Sequence, residues 1–361
     1  YQIGRGIDNN LTLRCVDFSV SKFLKEKELI NVQPVVEKPD FERVFPLDYE
    51  LLKNENIYSI IPLRSKNKIV GLLLFGLKYS GAQFAGSDFE LLVAAANQIA
   101  MFIENARLYN VELENTKLEK ELDNARKIQE SLLPKRIPLI KSLDISGKMI
   151  PAMHVGGDYY DVIKVSNSKT FVIVGDVSGK GFSASFYMSK LQTMVRLFCI
   201  EGRTPKDILV ELNKLVYEAI DKHSFITVSL ALFDSDEKTV KICRAGHPPI
   251  LAVNNGNYIV YQPQGIGVGL EKGNVFENTI EEVTIPFNKD DVYIFYSDGV
   301  SEAMNLHNEL YGFDNLKNTI ELHSAESAYH IQTAIINSIN FFRNGAHQND
   351  DITLVVVKIV E

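Results

Sequence analysis

The sequence predicts an α+β chain: a small α/β segment, then a long helix, then a larger region of antiparallel strands flanked by helices. Three observations carry this. From about residue 143 onward, short apolar strands follow one another across Gly- and Asn-rich turns, the pattern of antiparallel pairing. Helical patterns do not alternate with those strands, which sets aside a doubly wound parallel sheet. From Asn105 to Pro134 no Gly or Pro interrupts a run rich in Glu, Lys and Leu, as expected of one continuous helix. A length of 361 residues accommodates two or three domains.

Taken in order, LTLRCVDFSV predicts a strand and SKFLKEKEL a short helix. Pro34, Pro39 and Pro46 then mark a loop-rich stretch. IYSIIPLRSKNKIVGLLLFGLKY predicts a hairpin turning at the polar SKNK. Ser87 and Asp88 can cap a helix running from Phe89. Past Asn105, the positions Leu108, Val111, Asn115, Leu118, Leu122, Ala125, Gln129 and Leu132 alternate in steps of three and four, a heptad seam. A buried Asn115 would fix register and favour two strands. The seam weakens at Ala125 and Gln129. A parallel dimeric coil is expected; a single amphipathic linker helix lying on its own domain is the other reading. Pro134 ends the helix.

Beyond 143, three amphipathic helices are expected. The first covers Ser183–Ile200. The second opens with Thr204 as N-cap and Pro205 at the first helical position, with a stripe of Ile208, Leu209, Leu212, Leu215, Val216, Ala219 and Ile220. The third covers Glu326–Phe342, with Ile331, Ile335, Ile339 and Phe342 inward. Strands are expected near 225–233, 239–244, 250–253, 258–262, 281–285, 291–297 and 352–359, with a turn at NNGN, 254–257.

Four stretches place an aspartate at a strand end beside Gly, Asn or Ser: GGDYYDVIKV (Asp158), FVIVGDVSGKGF (Asp176), VYIFYSDG (Asp298) and NDDITLVVVKI (Asp350, Asp351). Carboxylates that converge must share a proton or a cation, and an oxygen-only donor set favours Mg²⁺ or Mn²⁺ over zinc. The net charge of −8 argues against nucleic acid as the main partner. Cys15, Cys199 and Cys243 are unclustered and in apolar contexts, which fits reduced thiols in a cytoplasmic protein and neither a disulfide frame nor a zinc site. No signal peptide is visible, and Leu91–Ile103, broken by Asn97 and Gln98, is too short to span a bilayer. The chain opens on YQIGRG without a Met and is expected to be a fragment, leaving an upstream membrane segment or sensor open.

The hairpin IPL…KIVGLLLFG followed by FAGSDFELLVAAANQIAMFIENARLY resembles the second half of a GAF domain, over residues 10–109, without that family's first helix and strand. Such domains bind small ligands or dimerise; nothing here identifies a ligand. The motifs GGDYYDV, GDVSGKGFSAS, AGHPP, YSDGVSEA and NDDITLVVV, in that order and led in by ARKIQESLLP, resemble the SpoIIE/RsbU-type branch of the metal-dependent, protein phosphatase 2C-like phosphatases over 125–361. The expected layout is a GAF-like sensor and dimerisation domain at 1–104, a coiled-coil linker and switch segment at 105–140, and a catalytic domain at 141–361, an antiparallel β-sandwich flanked by helices.

The resemblance implies two ions, Mn²⁺ or Mg²⁺. Asp176 would bridge them, Asp158 would hold one, Asp298 and Asp350 the other, and the Val177 carbonyl would add a ligand. It implies a serine/threonine phosphatase acting on a phosphorylated STAS-domain antagonist of an anti-sigma factor. A non-catalytic metal-binding module and a hydrolase of small phosphoesters are the alternatives. Around the site, Asp161 is either an acceptor for a metal-bound water or a surface strand residue. Asp351 is expected to be a turn or capping residue. His247 is expected to be a turn histidine fixed by Pro248 and Pro249, with proton donation to the site as its other reading. Lys180 is expected to be a solvated loop lysine, with approach to phosphate the alternative. No arginine lies near the first two aspartate motifs.

Overall fold

The computed structural model describes residues 30–31, 46–66, 68–84, 86–221 and 224–361. The strand and helix expected over 11–29, and Cys15, lie outside the described residues. The chain divides into two compact units, Tyr1–Glu119 and Lys120–Glu361.

In the first unit a short helix, α1 (Pro46–Asn54), precedes the hairpin of a three-stranded antiparallel sheet of β1 (Ile30–Asn31), β2 (Ser59–Ser65) and β3 (Lys68–Phe75). The β2–β3 hairpin turns at the SKNK sequence, with Lys66 at φ 52. Helix α2 then runs unbroken over Ser87–Leu132, as the absence of Gly and Pro predicts. Its early face packs Ala96 and Ala100 against Ile61 and Leu63 of β2. Farther along, Leu108, Val111 and Leu118 are exposed.

The second unit contains two five-stranded antiparallel sheets. One has the order β10 (Asn257–Tyr261), β9 (Ile250–Asn254), β12 (Val292–Tyr296), β13 (Ile352–Ile359), β4 (Leu143–Ile150). The other has the order β11 (Glu282–Pro286), β8 (Thr239–Ala245), β7 (Ile226–Asp234), β6 (Lys169–Val177), β5 (Tyr159–Lys164). The expected Asn-Gly turn joins β9 to β10, with Asn255 at φ 48 and Gly256 at φ 77; two successive left-handed residues match the strand twist.

The inner sheet faces bury a common core. Phe233 of β7 sits at its centre, 5.5 Å from the Tyr293 ring and 6.4 Å from that of Phe295. Each side chain so buried contributes about 1.5–3 kcal/mol. The outer face of the β5–β8 sheet is covered by α3 (Phe182–Phe198) and α4 (Pro205–Ala219). The outer face of the other sheet is covered by α7 (Gly312–His323) and α8 (Ala328–Arg343). Two short helices, α5 (Asn274–Thr279) and α6 (Asp298–Ser301), precede β11 and follow β12. The four-layer arrangement follows from strands that are apolar on both faces: all eight residues of β13 are buried.

The expected cap of α4 is present, and the Thr204 hydroxyl and Asp207 carboxylate form a capping box. Its stripe is narrower than expected: Ile208, Leu209, Leu212 and Val216 are buried, while Leu215 and Ala219 are exposed. Asn213 is buried instead, accepting from the Gly269 amide and donating to the Glu271 carbonyl. Among the described residues no helix is long and apolar enough to cross a membrane.

Candidate active site

Antiparallel pairing brings the aspartates to one end of the sandwich. Tyr159 pairs with Gly175, so the start of β5 and the end of β6 lie side by side, with Asp158 and Asp176 at their tips. Tyr296 pairs with Leu354, which places Asp298, opening α6, beside Asp350 and Asp351, which precede β13. The carboxylates of the two sheets act on one another. Burial, then the charges of Asp298 and Asp350, push the Asp176 carboxyl up to about 7. Burial, then Asp176 and Asp351, push Asp158 well above the usual carboxylate range. Asp298 is raised by burial and then by Asp350.

Three glycines make this crowding possible. A Cβ on Gly157 would stand 2.9 Å from the Val177 carbonyl oxygen and 3.2 Å from Asp176 Oδ1. A Cβ on Gly156 would meet Asp351 Oδ2 at 2.0 Å, and one on Gly299 would meet the Asp351 carbonyl oxygen at 2.0 Å. Backbone here packs where any side chain would collide.

The donor set fits hard divalent cations. It is oxygen throughout, and Asp158 Oδ2 is buried with no hydrogen-bond partner, a lone acceptor that a cation would satisfy. Among the described residues no group of three or more His, Cys, Asp or Glu side chains stands close enough together to hold a metal ion as placed. The aspartates are instead near neighbours in one field, and Lys180 Nζ pairs with Asp350 Oδ2 at 2.7 Å. Asp176, Asp350, Asp351 and Lys180 line a shallow pocket floored by Gly156 and Gly157.

The neighbouring residues sort as follows. Asp351 is a tether, as expected of a capping residue: Oδ1 accepts from the Ala152 amide at 2.8 Å, and Oδ2 from Gly157 at 2.8 Å and Asp158 at 3.5 Å. Lys180 is ion-paired to Asp350 and donates to the Asn349 carbonyl, so the expectation of a merely solvated lysine is corrected. Asp161 is not a surface residue. It is buried, accepting from the Tyr159 hydroxyl and from Arg196 Nε, each at 2.8 Å, because its strand position faces α3. His247 is the structural residue its prolines suggest. Its Nδ1 lies 2.8 Å from Thr227 Oγ1, on the strand beside Asp176. Burial pushes the imidazole down to about 3, so near pH 7 it is neutral and not the imidazolium that a general acid would need to be. Cys199 and Cys243 are buried free thiols; burial pushes Cys199 up to about 12. The sequence pattern alone assigns Gln129 to the coil seam, and the structure corrects this. Gln129 is buried and bonded to Gly156 in both directions. The weakness of the seam there was the available signal.

Two antiparallel sheets packed face to face between helical layers, with aspartates from both brought to one end, form an arrangement shared with protein phosphatase 2C-type domains. The fold matches the SiaA-PP2C domain of Pseudomonas aeruginosa with a TM-score of 0.60 at 17% identity, covering 68% of this chain and 98% of that one. It matches the PP2C phosphatase domain and regulatory-domain fragment of SpoIIE from Bacillus subtilis with a TM-score of 0.52 at 18% identity, covering 60% and 63%. The chain belongs to the SpoIIE family: the Stage II sporulation protein E (SpoIIE) model matches residues 166–360. It is similar to the phosphoserine phosphatase RsbU of Bacillus subtilis (strain 168), 27% identical over 243 residues, which cover 67% of this chain and 70% of RsbU.

Proposed function

We propose that this protein is a Mn²⁺- or Mg²⁺-dependent serine/threonine protein phosphatase of bacterial signalling. Its substrate class is a phosphorylated STAS-domain antagonist of an anti-sigma factor. The observation that carries the reading is the meeting of Asp158, Asp176, Asp298 and Asp350 at one sandwich edge, with burial and mutual repulsion raising Asp158, Asp176 and Asp298 together. Similarity to RsbU, named a phosphoserine phosphatase, supports a phosphoserine substrate.

Asp158, Asp176, Asp298 and Asp350, with the Val177 carbonyl as a further ligand, would hold the two cations. When bound, the cations neutralise the phosphate dianion and lower the pKa of a water. The chain's own residues set the frame for this. Asp351 fixes the backbone that carries Asp158. The glycines let backbone approach the ions and phosphate. Lys180 brings a positive charge to the site through its pair with Asp350. His247, Cys199 and Cys243 are all buried, and burial holds both thiols protonated, so none presents an accessible nucleophile, which supports direct attack by water.

The N-terminal part is read as a GAF-like sensor and the exposed apolar positions of α2 as the seam of a parallel homodimer, transmitting a signal to the catalytic unit. The test is phosphate release from a phosphoserine peptide and an aryl phosphate with Mn²⁺, Mg²⁺ or EDTA, beside Asp298→Asn. Metal-dependent release, lost in the folded variant, is expected. Equal release by the variant would sink the assignment.

A further inference from the structure

We propose that Gln129 is a positioning residue for the metal edge: its side-chain amide clips the backbone of Gly156 and thereby sets where Asp158 stands. The clip makes the last turns of α2 a mechanical input to catalysis. This rests on the reading of Asp158 as a metal ligand.

Between residues 101 and 131, α2 has one fully buried side chain, Gln129, 7% exposed. Its Nε2 donates to the Gly156 carbonyl at 2.6 Å, and its Oε1 accepts from the Gly156 amide at 2.9 Å. One side chain thus engages both backbone groups of a buried residue, as a neighbouring β-strand would. Gly156 stands two residues before Asp158. On the other side, the same loop is held by Asp351, through the amides of Ala152, Gly157 and Asp158.

The two clamps differ in kind. Asp351 leads into a central, wholly buried strand and has little freedom. Gln129 rides on a helix whose preceding turns are solvent-exposed. A second, weaker link joins the same partners: His154 Nδ1 of the loop lies 3.7 Å from Asp123 Oδ1 of the helix. Just past Gln129, the Leu132 carbonyl accepts from Gln192 of α3 at 3.4 Å. Rotation or withdrawal of the helix end would leave the Gly156 N–H and C=O buried and unpaired, a state the loop relieves by moving. Movement of two residues' worth of backbone displaces Asp158 from its partners.

The test uses the full chain with Gln129→Met, which keeps bulk and removes both bonds, and Gln129→Glu, which keeps the acceptor and removes the donor. Hydrogen exchange of the 152–158 amides is followed in EDTA, and Mn²⁺ binding is measured by calorimetry. The Met variant is expected to speed exchange in 152–158 alone and to weaken Mn²⁺ binding about tenfold, the scale for partners that orient a ligand; the Glu variant falls between. If the Met variant fails to melt cooperatively, the Glu variant decides by the same readouts. Unchanged loop exchange with unchanged Mn²⁺ affinity would overturn the clip, as would faster exchange spread evenly over the fold. A wild-type chain that binds no Mn²⁺ overturns the metal reading itself, and loop exchange, which needs no metal, still reports whether the clip exists.

Discussion

Replacing Asp176 with Asn should abolish turnover and, in EDTA at alkaline pH, make the fold more stable. Burial, then the charges of Asp298 and Asp350, push the Asp176 carboxyl up to about 7 in the folded chain, against an ordinary 3.8. An acid raised on folding keeps its proton where the unfolded chain has released it. Stability therefore falls as pH rises from about 4 to about 7, and the loss is complete above that window. At about 1.4 kcal/mol per unit the cost approaches roughly 4 kcal/mol, and partial exposure of the side chain trims it to about 2–4 kcal/mol. Asn carries no charge and escapes this cost. In melts followed by circular dichroism at pH 8 in EDTA, Asp176→Asn should gain about 5–10 °C in Tm over wild type, the scaling for a domain of this size. The gain should shrink toward zero near pH 4, and Mn²⁺ should narrow it at pH 8 by stabilising wild type more. A variant that melts at or below wild type at pH 8 in EDTA would refute the claim that the carboxylates strain one another.

Two further outcomes follow from contacts around the site and linker. Arg196→Met leaves Asp161, 2% exposed, with the Tyr159 hydroxyl and the Val162 amide as partners. Because the arginine is itself half-exposed, the expected loss is about 2 kcal/mol, a fall of several degrees in Tm with Mn²⁺ affinity unchanged; an unaltered melt would show the pair to be idle. Inserting one residue beside Leu118 turns the helix about 100° and should change both sedimentation behaviour and phosphatase rate. If neither moves, α2 is only a tether.

Much of this molecule was legible in the sequence because its signals are local. The strands after 225 fall within a residue or so of expectation, since each is a short, mainly apolar run bounded by turn residues. Pro205 and Thr204 marked a helix start for steric and hydrogen-bonding reasons that hold in any context. Helix α7 went unread because only Leu316 and Ile320 of its residues are buried, too sparse a stripe to stand out. The unread parts of the site depend on partners far apart in the chain. Asp351 looked like a turn or capping residue, but the amides it accepts from lie 193 to 199 positions away. Asp161 was undecided because nothing near it in sequence reveals Arg196 across the layer. Gln129 fitted a heptad poorly because it belongs to the phosphatase unit, which no heptad rule can see.

The position of β13 in its sheet has a consequence for how the protein is made. This strand follows every other described strand in the chain, yet it lies between β12 and β4, so its sheet is split until residues 352–359 arrive. The two residues before it supply a proposed ligand and the tether of the Asp158 loop. A chain still emerging from the ribosome therefore has both β5–β6 aspartates and no frame to hold them. If Asp350 is a ligand, competence would arrive only once this strand is free to insert, and the unfinished chain would stay silent during synthesis without any inhibitor.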